Sequence, residues 1–212
     1  MSEKVYKILC YGDSNTYGFD PRMGAPEQLP KDVRWTGILD AMPCYEIINR
    51  GLNGREIPYS QSAFRDLEYT LERHRDCDIL VIMLGTNDLA CMWHPSAERV
   101  GKRMRELFDY VPGLAGFRQD GRKTILLSPP LLDLADDRED GILLEASRGL
   151  AQVYRKTAEE LGLYFADTAL WRIHMTYDEV HFSGAGHKTF AGEMDRLLRR
   201  VIAAASPEDL KD

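Results

Sequence analysis

A chain of 212 residues, 44% of them hydrophobic, can bury one substantial core and falls within the range of a single α/β domain. Its net charge of -7, with no Lys/Arg stripe to offset it, argues against a nucleic-acid partner. No run approaches the roughly 20 apolar residues that span a bilayer, and no apolar secretory leader follows Met1-Ser2-Glu3-Lys4, so a cytoplasmic protein with no membrane partner is expected. Cys10, Cys44, Cys77 and Cys91 are scattered without a C-x-x-C pair; they fit neither a zinc ribbon nor a dense disulfide framework and read as buried free thiols.

In chain order, the apolar run Val5-Tyr6-Lys7-Ile8-Leu9-Cys10 reads as a first strand and ends in Tyr11-Gly12-Asp13-Ser14-Asn15-Thr16-Tyr17-Gly18, a sharp turn that presents Ser14. Further strands are expected at Tyr45-Glu46-Ile47-Ile48, at Ile79 to Leu84, at Thr124-Ile125-Leu126-Leu127 and at Leu163-Tyr164-Phe165-Ala166. Their apolar character over consecutive residues suggests burial on both faces. Helical spacing appears at Phe64, Leu67 and Leu71, and again at Val100, Met104, Leu107 and Val111 behind a Ser96 cap. A third stripe runs from Leu143 to Leu161 and stops at Gly162; the last carries Phe190, Met194, Leu197 and Val201 behind Ser183.

Alternating strands and helices predict a parallel sheet of about five strands with helices on both faces, in a single domain over residues 1–205, followed by a polar, frayed tail over 206–212. Three loops are longer than connection requires: Phe19 to Asp32, Asp88 to Pro95, and Ser128 to Asp140.

Ligands of an open parallel sheet bind at the carboxyl ends of its strands. At those ends stand Ser14, Gly51-Leu52-Asn53-Gly54-Arg55, Gly85-Thr86-Asn87-Asp88 and, after the last strand, Asp178-Glu179-Val180-His181. Acyl transfer needs a nucleophile, a base, a group that orients the base, and donors for an oxyanion. Ser14, His181 and Asp178 supply the first three; the N–H groups of Ser14 and Gly54 and the Asn87 amide supply the donors, with Gly51 competing for the Gly54 role. Asp13 is assigned to capping the turn. Trp35, Trp93, Met92, Tyr17, Phe19 and Tyr59 flank the crevice as candidate walls, and Arg34 and Arg55 as candidate contacts for an acidic substrate. Asp178, His181 and His187 lack the further ligands that a metal site requires.

Gly12-Asp13-Ser14-Asn15, the 51–55 turn, Gly85-Thr86-Asn87-Asp88 and Asp178-Glu179-Val180-His181-Phe182-Ser183 resemble, in order, the four motif blocks of the SGNH hydrolases, the GDSL esterase/lipase family. Tyr17-Gly18-Phe19-Asp20-Pro21 and Arg34-Trp35-Thr36-Gly37 are similar to its small bacterial arylesterase and acyltransferase branch. The resemblance implies a three-layer α/β/α, flavodoxin-like fold without metal or cofactor, and a homo-oligomer whose loops wall the pocket. It further implies Ser14, Asp178 and His181 as triad, and Ser14, Gly54 and Asn87 as oxyanion hole. The chain departs from the pattern at Asn15, where the leucine of the family's lettering would stand. The expected activity is hydrolysis or transfer of short acyl groups from a small-molecule ester; a non-catalytic SGNH-like module that binds a ligand or partner is the alternative.

Overall fold

Each apolar run forms a strand, and the five strands form one parallel sheet: β1 (Tyr6–Gly12), β2 (Tyr45–Gly51), β3 (Ile79–Met83), β4 (Lys123–Ser128) and β5 (Tyr164–Asp167), in the order β2-β1-β3-β4-β5. That is the flavodoxin-like order. The computed structural model describes residues 4–22, 27–119, 122–132, 134, 141–204 and 206–210. Period-two alternation sends Leu9, Tyr11, Leu80, Ile82 and Leu126 to one face and Ile8, Cys10, Val81, Met83 and Leu127 to the other. Both faces are covered, which is why the strands are apolar throughout.

The helices are α1 (Ser14–Tyr17), α2 (Trp35–Asp40), α3 (Gln61–Arg73), α4 (Thr86–Cys91), α5 (Ala97–Tyr110), α6 (Pro112–Gln119), α7 (Gly141–Leu161) and α8 (Gly184–Ala203). Residues of α3, α5, α6 and α7 pack on the first face, those of α2 and α8 on the second. Ser96 and Ser183 cap α5 and α8 by accepting the N–H groups of Arg99 and Gly186, and Gly162, at φ +63°, follows α7. Val111 does not continue α5. Its neighbour Pro112 disfavours helical geometry at 111, so the chain turns extended there and restarts as α6. The expected loop from Asp88 begins instead inside α4, and most of the Ser128–Asp140 loop lies outside the described residues. The polar tail is ordered over Pro207–Leu210 as a 3₁₀ turn, with Leu210 packed against the second apolar cluster. Among the described residues no helix is long and apolar enough to cross a membrane.

Register sets the position of the site. Gly12 pairs with Gly51 and with Met83, so β1, β2 and β3 end level and release their loops onto one edge. At that edge the Asp13 side chain caps α1 by accepting the Asn15 N–H, as expected. Asp13 is 2% exposed, and burial pushes its carboxyl up to about 6, against the opposing pull of the Asn15 N–H and His181. Across the second layer, burial pushes the imidazole of His187, on α8, down to about 4, with the charges of Arg34 and His181 adding.

The two shifts act on stability in opposite senses. The native state holds the Asp13 proton longer than the unfolded chain does, so its cost appears as pH rises from 3.8 to about 6. His187 resists protonation, so its contribution is lost as pH falls from 6.5 towards 4. Asp13→Asn can keep the cap but removes one titration. Its stability relative to wild type should therefore rise by about 2 kcal/mol between pH 4 and pH 7. Urea unfolding at the two pH values checks this; an equal difference at both would contradict the buried-carboxylate assignment.

Candidate active site

Ser14 is the first residue of α1 and 7% exposed. Its Oγ lies 2.9 Å from His181 Nε2, and His181 Nδ1 lies 2.7 Å from Asp178 Oδ2. The latter two residues sit on a hairpin between β5 and α8: Thr176 N–H donates to His181 O (2.7 Å), Ser183 N–H to His174 O (3.0 Å), and Met175 bridges Phe182. Glu179, at φ +63°, turns the tip. Asp178 closes the turn on itself, its Oδ1 accepting the Thr176 hydroxyl (2.6 Å) and the N–H groups of His181 (3.0 Å) and Val180 (3.2 Å). Partial burial pushes the Asp178 carboxyl up, but these bonds and the imidazole outweigh it and hold the group at about 2. The carboxylate is thus ionised at neutral pH. It accepts the hydrogen bond of Nδ1–H, and this tautomer leaves the Nε2 lone pair directed at the Ser14 hydroxyl.

Three candidate donors stand on the loops that leave β1, β2 and β3. Among the described residues the N–H groups of Ser14 and Gly54 have no partner. Asn87, in the first turn of α4, gives one amide hydrogen to Arg55 O (3.1 Å) and keeps a second. The two glycines of the 51–55 turn differ in kind. Gly51 N–H is already bonded to Asn49 Oδ1 (2.8 Å), and a Cβ there would lie 2.0 Å from Tyr17 N, so packing against α1 demands glycine. Gly54 has open space around it and a φ of +70°, a turn requirement.

Several neighbours hold this arrangement rather than line a crevice. Arg55 is turned inward: Nη1 donates to Gly12 O (2.9 Å) and to Arg50 O, and the guanidinium stacks on Tyr11 at 4.0 Å. Trp35 is buried, with Nε1–H on Asn15 O (3.0 Å) and its backbone N–H on His187 Nδ1 (3.3 Å). The positions expected of Arg55 and Trp35 as substrate contacts are thereby corrected. Phe19 does face the site, its ring 4.8 Å from the His181 imidazole, whereas Trp93 is 91% exposed. Asp88, fully buried, accepts Ile57 N–H (3.0 Å) and Arg103 Nη1 (2.9 Å), and Arg103 reaches Glu56 as well (2.9 Å). This ion cluster ties the glycine turn to α4. Asp88 was visible in its motif block; nothing in the spacing marks Arg103 as its partner. Among the described residues no group of three or more His, Cys, Asp or Glu side chains is arranged to hold a metal ion.

The model of the GDSL-like Lipase/Acylhydrolase family matches residues 10–189. In structure the chain is similar to an aryl esterase of M. smegmatis, with 27% identity and a TM-score of 0.75 over 92% of this chain and 99% of that one. It is equally similar to a carbohydrate acetylesterase of Sinorhizobium meliloti, with 25% identity and a TM-score of 0.75 over 92% and 99%. No curated protein sequence matches it. The family match runs from β1, which leads into Ser14, to α8, which follows His181, and on that ground the chain belongs to the GDSL-like lipase/acylhydrolase family, the SGNH hydrolases, and is a carboxylic ester hydrolase.

Proposed function

We propose that the protein is a serine esterase that removes short acyl groups, acetyl above all, from small-molecule esters through an acyl-enzyme on Ser14. The observation that carries this reading is the unbroken line Ser14 Oγ, His181, Asp178, together with the N–H groups of Ser14 and Gly54, without a partner among the described residues, and the second amide hydrogen of Asn87. His181 Nε2 takes the hydroxyl proton as Oγ attacks the ester carbonyl, and the Ser14 and Gly54 N–H groups and the Asn87 amide receive the developing oxyanion. The imidazolium, stabilised by Asp178, returns the proton to the departing alkoxide. Water, or a second alcohol in the transfer reaction, then attacks the acyl carbon by the same route in reverse. Aryl and carbohydrate esters are the substrate classes that the similar structures suggest.

The protein further acts as a homo-oligomer, a state for which the exposed Trp93 and Tyr59 offer apolar surface. Its four unpaired cysteines favour a reducing, cytoplasmic compartment. Light scattering should give a mass above the 24.2 kDa of one chain; a monomer would refute the assembly. For the chemistry, Ser14→Ala should abolish turnover of p-nitrophenyl acetate with the fold intact, and Asn87→Ala should lower kcat by about 10²- to 10³-fold with little change in KM. Steady-state kinetics checks both, and a fully active Ser14→Ala protein would overturn the assignment.

A further inference from the structure

We propose that Asn15 is the positioning residue that sets the gap between Ser14 and His181. In an antiparallel pair, successive residues direct their backbone groups alternately towards the partner arm and away from it. On the 174–183 hairpin, His181 O and Ser183 N–H face the partner arm. Val180 O and Phe182 N–H, on either side of His181, therefore face outward and form an open strand edge. The Asn15 side chain occupies both: Nδ2–H donates to Val180 O at 3.0 Å, and Oδ1 accepts Phe182 N–H at 2.9 Å. Its amide stands where the peptide of a next strand would stand, and it pairs with the base-bearing hairpin across 165 and 167 residues of chain.

Asn15 is itself fixed. It is 5% exposed, its N–H is held by Asp13 Oδ1 (3.0 Å), and its carbonyl accepts Trp35 Nε1–H (3.0 Å). Because Asn15 follows Ser14 directly, one rigid unit holds the nucleophile on its backbone and the base through its side chain. A leucine here would match Asn in branching at Cγ but leave Val180 O and the buried Phe182 N–H without these partners. The departure from the family's lettering is thus the device that registers the two halves of the site. Since misplacement of a reacting group by about 1 Å can cost on the order of 100-fold in rate, a loosened hairpin should appear in kcat.

The inference rests on the esterase reading, and its test separates the two. Asn15→Leu deletes both bonds. Asn15→Asp keeps the acceptor for Phe182 N–H and places a carboxylate oxygen against Val180 O; it carries the test if the leucine variant does not fold. Both variants should lower kcat on p-nitrophenyl acetate by about 10- to 100-fold with KM within about threefold. In a His181→Ala background the same changes should have almost no further effect, because Asn15 acts through the imidazole. Independently of turnover, proton NMR should show one ordered resonance for the His181 Nδ1–H in wild type, and a broadened or lost one in the variants. Wild-type kcat with an unaltered resonance in a folded variant, or a kcat loss that multiplies fully with His181→Ala, would overturn the positioning role. Absence of turnover by the wild-type protein would sink the esterase reading and leave the NMR result to decide on Asn15.

Discussion

The 2.9 Å hydrogen bond between Ser14 Oγ and His181 Nε2 joins residues 167 positions apart, and the arrangement of the sheet serves to make that distance reproducible. Ser14 leaves the sheet at the end of β1, next to the centre; His181 arrives on a hairpin beyond β5, at the far edge. No single element spans that interval. Level strand ends bring the loops to one side, and short polar bonds complete the fit: the Asn15 amide on the hairpin, Trp35 under the nucleophile turn, and Arg55 between β1 and the glycine turn. Each bond engages backbone groups of the turns and loops around the site.

This construction has an energetic consequence. Asp13, Asp88 and His187 are all but fully buried, and ionisation of such groups is costly unless hydrogen bonds or opposite charges offset it. Asp88 is offset by Arg103 and the Ile57 N–H, although burial still leaves its carboxyl raised. For Asp13, burial outweighs the Asn15 N–H and the charges of His181 and Arg55, and its carboxyl is raised to about 6. Asp178 lies on the opposite side of the balance, with enough donors around it to stay ionised at about 2. In the proposed mechanism, the carboxylate that bears charge beside an imidazolium is thus the one surrounded by hydrogen-bond donors. The two that mainly hold loops in place sit in the core and tolerate the cost.

Much of this was legible in the chain. Burial on both faces makes the strands continuous apolar runs, and serines before amphipathic stripes mark helix starts, so the sheet and the longer helices could be read directly. The four polar blocks could be placed because a parallel sheet puts all its strand ends on one edge. What escaped was set by particular contacts. Val111 has the spacing of a helical residue, but Pro112 breaks the helix there. Trp35 reads as a candidate wall of the crevice until Phe190 of α8 is seen packed against it. Gly51 and Gly54 look alike as letters; only the collision at one and the positive φ at the other tell them apart. Asn15 reads as a variant letter, since its two partners lie on a hairpin far along the chain.

The central claim is that Ser14, among all the hydroxyls of the chain, is the activated nucleophile. Treatment of the native protein with a fluorophosphonate, followed by mass-spectrometric mapping of the modified peptide, tests it most directly. A single adduct on Ser14 is predicted. A folded protein that acquires no adduct at Ser14, or acquires one on another residue instead, would contradict the account and favour a binding module built on the same fold.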